Sequence, residues 1–150
     1  MGRNAKPDEV LLQVDMRNAF GTVDRQKMLV EVKSLCPCLF PYAAACCRNA
    51  NILLGDGYAL ESTRGVQQGD VLGPALFAIA LQPVIERLRD LGLELNIWYL
   101  DDGLLVGTVN TVKAALELLK EHLPWRGLEL NVSKCKLVGP GASHPDRAFE

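Results

Sequence analysis

No stretch of this chain stays apolar long enough to cross a membrane. A spanning helix needs about 20 consecutive apolar residues, and the best candidate, residues 71–85, is interrupted by Gly73, Pro74, Gln82 and Pro83. The opening residues, Met1 to Glu9, are polar and hold no secretory pattern. Met1-Gly2 is not an acylation signal, because Ala5 and Lys6 do not complete it. These absences set the expectation of an intracellular chain, nuclear or cytoplasmic, with no membrane partner. Zinc-knuckle spacing is missing as well: Cys36, Cys38, Cys46, Cys47 and Cys135 form no paired C-x-x-C units. An odd number of thiols without a leader argues for free cysteines in a reducing compartment, packed as small buried hydrophobes. His122 and His144 have no matching partners, so neither is given a role. Positive charge is not in excess either, the formal net charge being −2. A chain that grips nucleic acid by its own charge is usually basic. If nucleic acid is a partner, the gripping surfaces lie on other parts of a larger protein.

What is present suits one domain with one sizeable core: 150 residues, 49% hydrophobic and 23% charged. Residues 10–14 read as a short buried strand ending at Asp15. Asp24 caps a helix over 25–35 with Met28, Val32 and Leu35 on one face, and Pro37 ends it. A second helix is predicted from Pro41 to about Ala50, then a hairpin of 52–54 and 58–60 around Gly55-Asp56-Gly57. The loop 65–70, Gly-Val-Gln-Gln-Gly-Asp, leads into a long helix from Gly73 to Leu91 whose apolar residues cover most of its circumference. Pro83 should kink that helix. Strands at 95–100 and 103–106 are separated only by Asp101-Asp102, which predicts a tight antiparallel hairpin. A helix over 111–123, stopped by Pro124, and short extended segments at 128–132 and 135–138 complete the series. This order suits an α+β, ferredoxin-like layer: an antiparallel sheet with helices packed on one face. Asp15 then stands at a strand end and Asp101-Asp102 at the turn of the central hairpin, so that three carboxylates meet at one edge if those strands are neighbours.

Three carboxylates within a few ångströms raise one another's pKa and resist packing together. A hard divalent cation removes the conflict. Two such ions held about 4 Å apart clamp an in-line phosphoryl displacement. Taken alone, an Asp-Asp pair in a turn is ordinary solvated turn chemistry.

Four segments carry more. VDMRNAFGTV (14–23), STRGVQQGDVLGPALFAIAL (62–81), WYLDDGLLVG (98–107) and GLELNVSKCKLV (127–138) resemble, in order, motifs A to D of reverse transcriptases. The style of motifs B and D is similar to non-LTR retrotransposon enzymes and their group II intron relatives. The resemblance implies a polymerase palm spanning a partial domain, residues 1–138, with 139–150 a loose tail. It implies two Mg²⁺ ions, with Mn²⁺ as substitute, held by Asp15 and Asp101, with Asp102 auxiliary and the Met16 carbonyl contributing. It implies that amides near Asn18 and Ala19 face the incoming dNTP, and that Phe20 is the steric gate; by position alone Phe20 is equally a core aromatic. Gln68 and Gly69 match the pair beside the nascent base pair, glycine letting backbone approach substrate. Arg64 stands within reach of a phosphate, Tyr99 of the primer sugar, and Lys134 matches the motif D proton donor; Arg64 and Lys134 read otherwise as solvated surface residues, while Trp98 reads as core. The implied activity is RNA-directed DNA polymerisation on an RNA or DNA template with a primer strand. Fingers and thumb have no room in this chain, which sets the expectation of a piece of a retroelement polyprotein. A catalytically inactive remnant or nucleic-acid-binding module on the same scaffold, and a nucleotidyl cyclase, are the competing readings.

Overall fold

The computed structural model describes residues 8–48, 51–55, 58–66 and 69–139, the hairpin at 51–62 by its backbone. In chain order these form β1 (Glu9–Val14), α1 (Ala19–Thr22), α2 (Arg25–Leu35), a 3-10 turn (Pro37–Leu39), α3 (Phe40–Cys47), β2 (Asn51–Gly55), β3 (Tyr58–Ser62), α4 (Gly73–Arg89), β4 (Leu95–Tyr99), β5 (Asp102–Thr108), α5 (Val109–His122), a second 3-10 turn (Pro124–Arg126) and β6 (Lys136–Val138). They divide into two compact units, one of residues 1–17, 84–125 and 129–150, the other of 18–83 and 126–128.

The first unit holds a four-stranded antiparallel sheet of order β4-β5-β1-β6. Counted within the sheet this is 2-3-1-4, the ferredoxin-like arrangement expected from the element order. Strand alternation separates its faces. Val10, Leu12, Val14 and Leu105 are buried on one face, and α5 packs there on β1 and β5 through Val112, Ala115, Leu116 and Leu119. Each of the valine and leucine side chains contributes about 1.5–3 kcal/mol on burial. Gln13, Asp102, Leu104, Ile97, Tyr99 and Lys136 are exposed on the opposite face. The helix α5 begins where Thr108 accepts a hydrogen bond from the Thr111 amide, and Pro124 follows its end.

Trp98 lies on the helix-covered face, paired with Gly103 across β4 and β5. A Cβ at Gly103 would stand 2.7 Å from the Trp98 ring, so the glycine makes room for the indole. The indole N–H donates to Asn96 Oδ1 at 2.8 Å. Gly103→Ala is therefore expected to displace the ring and lower stability by about 1–3 kcal/mol. Urea unfolding followed by tryptophan emission checks this, and an unchanged midpoint would refute the packing argument.

The second unit is mainly helical. Asp24 accepts from the Gln26 and Lys27 amides and starts α2 at the expected residue. Met28 and Val32 are buried, whereas Leu35 is 53% exposed, because the last turn of α2 runs past the core. The second helix begins one residue earlier than expected, at Phe40, after a 3-10 turn started by Pro37. The hairpin β2–β3 pairs Gly55 with Tyr58; the turn residues expected between them, and Ala50, lie outside the described residues. In α4, Leu76, Phe77, Ala80, Leu81, Val84 and Leu88 form a buried stripe, while Ile79 and Ile85 are half-buried. That helix is thus amphipathic rather than buried all round. It continues through Pro83 to Arg89, and the two units divide immediately after that proline. Burial of the cysteines was expected; only Cys135 among the free thiols is fully buried, Cys36, Cys46 and Cys47 being half-buried and Cys38 exposed. The expected tail lies outside the described residues from 140 onward.

Candidate active site

The register of β1 on β5 ends at Val14 opposite Gly103, and β4 ends with Tyr99 opposite Asp102. Asp15 follows the last β1 pair and Asp102 precedes Gly103, so both stand at the same end of the β1–β5 ladder. Pairs that oppose each other share a face, so Asp102 and Tyr99 belong to the face left open by the helices. The hairpin turn is Leu100-Asp101 rather than Asp101-Asp102, with Asp102 already the first residue of β5. The two-residue turn places Leu100 at φ 57, a left-handed conformation that disfavours leucine by about 1–2 kcal/mol. The hairpin pairing on both sides holds it there.

Beyond β1 the chain at 15–17 runs beside 129–131. The Asn131 amide donates to the Asp15 carbonyl and the Arg17 amide to the Glu129 carbonyl, both at 2.9 Å, flanking the bridge of Met16 with Leu130. In such a non-hydrogen-bonded pair the two residues' own N–H and C=O groups point away from each other. The Met16 carbonyl is therefore directed to the side on which β1 pairs with β5, the side of Asp101 and Asp102. Cys135, buried beneath, points its Sγ at the Asp15 carbonyl at 3.8 Å, and burial raises its thiol pKa. Sequence reasoning missed this thiol, whose only signal was its place one residue after Lys134.

Asp15 Oδ1 is buried and has no hydrogen-bond partner among the described residues. An ionised oxygen removed from water without a partner is strongly disfavoured. A hard divalent cation is the ligand class that satisfies such an oxygen, and Asp15, Asp101, Asp102 and the Met16 carbonyl make an all-oxygen donor set that fits one. The side chains do not close into that arrangement by themselves: among the described residues no three His, Cys, Asp or Glu side chains form a metal-holding group. Lys134 is exposed in the turn between Asn131 and Cys135, its amide bonded to the Asn131 carbonyl at 2.8 Å.

The remaining expected residues belong to the second unit. Asn18 adopts the left-handed conformation, φ 45, at the start of α1 and packs its carboxamide over Gly21. Ala19 is buried, so only its backbone is available to a ligand. Phe20 is half-buried and stacks on the fully buried Phe77, ring centroids 4.7 Å apart and 14° from parallel. It is thus a braced aromatic with one face on the core, and Phe77 is the brace that sequence reasoning did not single out. Gly65 and Val66 donate to the Val23 and Phe20 carbonyls at 2.8 Å, and the buried Arg25 donates from Nε to the Gly65 carbonyl at 2.8 Å. These bonds lace the start of the glycine loop to α1 and α2. Arg64 is exposed. Gly69, at φ 92, has open space where a Cβ would stand, which leaves its backbone accessible from outside. Gln68 lies outside the described residues.

Asp70 closes the loop. Its Oδ1 accepts from the Leu72 amide at 2.9 Å and from the Tyr42 hydroxyl at 2.9 Å. The Tyr42 pKa is pushed up to about 12, first by its hydrogen bond with Cys46, then by that with Asp70. A raised phenol pKa means the contact stabilises fully below the ordinary value of 10.0 and is lost as pH rises from there through about 12. Titration of phenolate absorbance is expected to show one tyrosine ionising near 12, absent in Tyr42→Phe. The same high step in the variant would refute the assignment.

The chain matches the reverse transcriptase (RNA-dependent DNA polymerase) family over residues 2–143. No curated protein matches its sequence. Among solved structures it is similar to the apo telomerase of Candida tropicalis (TM-score 0.76, 10% identity, 93% of this chain and 30% of that one). It is also similar to the telomerase of Candida albicans in complex with a fragment of telomeric RNA (TM-score 0.64, 18% identity, 94% and 28%). At such identities the likeness concerns the fold, and the chain spans about a third or less of those chains' length. With the family matched across nearly its whole length, the chain belongs to the reverse transcriptase family.

Proposed function

We propose that residues 1–138 are the palm of an RNA-directed DNA polymerase of the non-LTR retrotransposon and group II intron type, transferring a nucleotide from a dNTP to a primer 3′-hydroxyl on an RNA or DNA template. The observation that carries this reading is the buried, unpartnered Asp15 Oδ1 just beyond the end of β1, at the same end of the β1–β5 ladder as Asp102. Asp15 and Asp101 would hold two Mg²⁺ ions, or Mn²⁺, with Asp102 and the Met16 carbonyl in support. When bound, the metal supplies positive charge that lowers the pKa of the primer hydroxyl and offsets charge on the leaving pyrophosphate. Lys134 would donate the proton that pyrophosphate takes up. In the second unit, the backbone at Asn18 and Ala19, together with Arg64, would bind the triphosphate. Phe20, braced by Phe77, would exclude a ribose 2′-hydroxyl, and Gln68 and Gly69 would lie against the new base pair. Tyr99, exposed on the open sheet face, would pack on the primer sugar.

The share of the telomerase chains that this chain spans supports a place within a longer protein, a retroelement polyprotein whose fingers and thumb grip the duplex. Its work would lie in the nucleus or cytoplasm. The test is primer extension by the chain joined to fingers and thumb segments. Wild type is expected to extend the primer, and Asp101→Asn to reduce the rate at least about a thousandfold, equivalent to about 4 kcal/mol of transition-state stabilisation. Equal synthesis by both would overturn the reading. Binding of template by both without synthesis by either would favour the second reading, an inactive binding module.

A further inference from the structure

Four of the five cysteines fall between Cys36 and Cys47, and two of them are brought together on the surface. Cys36 ends α2, with its amide donating to the Val32 carbonyl. Pro37 then starts the 3-10 turn, closed by the Leu39 amide on the Cys36 carbonyl at 3.0 Å. This reversal places the Sγ atoms of Cys36 and Cys38 3.6 Å apart. Cys38 is exposed and Cys36 half-buried, so the pair opens to solvent. The proline fixes its own φ at about −65° and narrows the freedom of the turn between the thiols.

A gap of 3.6 Å is far wider than the ~2.0 Å of a disulfide. It is close to the bite of a tetrahedral thiophilic cation, since two metal–sulfur bonds of ~2.3 Å at a tetrahedral angle set their sulfurs ~3.8 Å apart. We propose that Cys36 and Cys38 form a two-thiolate clamp for a d¹⁰ cation of the Zn²⁺ and Cd²⁺ class, separate from the magnesium chemistry of the carboxylates. Soft thiolates select such ions, whereas carboxylate and carbonyl oxygens select Mg²⁺ and Mn²⁺. On binding, each thiol releases its proton to water as its sulfur–metal bond forms, and no electrons are exchanged. Among the described residues no third ligand joins them into a larger group, so water completes the shell.

The test is titration of the reduced full chain with Cd²⁺ alone, followed by the sulfur-to-metal charge-transfer absorbance. One ion per chain with two thiolates is expected, and affinity is expected to fall at least tenfold in Cys36→Ser and in Cys38→Ser while Cys46→Ser and Cys47→Ser bind as wild type. Circular dichroism of each variant separates loss of ligand from loss of fold, and two independent clamp variants guard against misfolding of either. Absence of the band in wild type, its survival in Cys36→Ser, or its loss only with Cys46→Ser or Cys47→Ser would overturn the proposal.

Discussion

In metal-free buffer, Asp15→Asn is expected to be at least as stable as wild type, because it removes the formal charge from an oxygen that is shielded from water and has no partner among the described residues. The wild-type carboxylate carries one oxygen that is shielded from water and accepts no hydrogen bond among the described residues. Asparagine keeps the shape and removes the charge. The same substitution is expected to erase the stabilisation that a divalent ion gives. A ligand at a hundred times its Kd adds about 2.7 kcal/mol to the folded state, and the variant should gain none of it. Stability given up to keep a charged site open is a recurrent feature of active centres. Denaturant unfolding with and without Mn²⁺ measures both effects. A variant less stable than wild type, or equally stabilised by the ion, would show that Asp15 is a structural acid.

Gly65→Ala is expected to destabilise the chain by roughly 3 kcal/mol or more, at the severe end for a single substitution. Gly65 has φ 76, where an L side chain is strained, and a Cβ there would stand 2.3 Å from the Phe20 carbonyl oxygen and 2.7 Å from the Gly21 backbone. These obstacles are main chain, which cannot swing aside. To admit the methyl group, the loop must give up its bonds to Val23, Phe20 and Arg25. Thermal unfolding checks the loss. If Gly65→Ala unfolded at the wild-type midpoint, the lacing of the glycine loop to α1 and α2 would not be what holds it.

These two residues differ in how far the sequence announces them. Asp15 is legible because a short apolar run stops at it, which is the pattern of a buried strand reaching an edge. The hairpin at 95–108 and the Asp24 cap are legible for similar local reasons, and the ferredoxin-like order follows from the sequence of elements. The turn position is not legible: Leu100 takes the left-handed conformation that composition would assign to an Asp or Gly, because pairing of Tyr99 with Asp102 leaves no other residues for the turn. Contacts between residues far apart in sequence are hidden in the same way. Nothing local shows that Phe77 braces Phe20, that Tyr42 holds Asp70, or that Cys135 lies under Asp15. Exposure also depends on where a helix ends relative to the core, so Leu35 fits an apolar stripe by spacing and still faces water.

Calorimetric titration of the chain with Mn²⁺ tests most directly whether the carboxylates at the sheet edge are a metal centre. Wild type is expected to bind, Asp15→Asn and Asp101→Asn to lose binding, and Asp90→Asn, an exposed acid in the turn after α4, to bind as wild type. Binding by Asp15→Asn equal to that of wild type would contradict the assignment of Asp15 as a metal ligand.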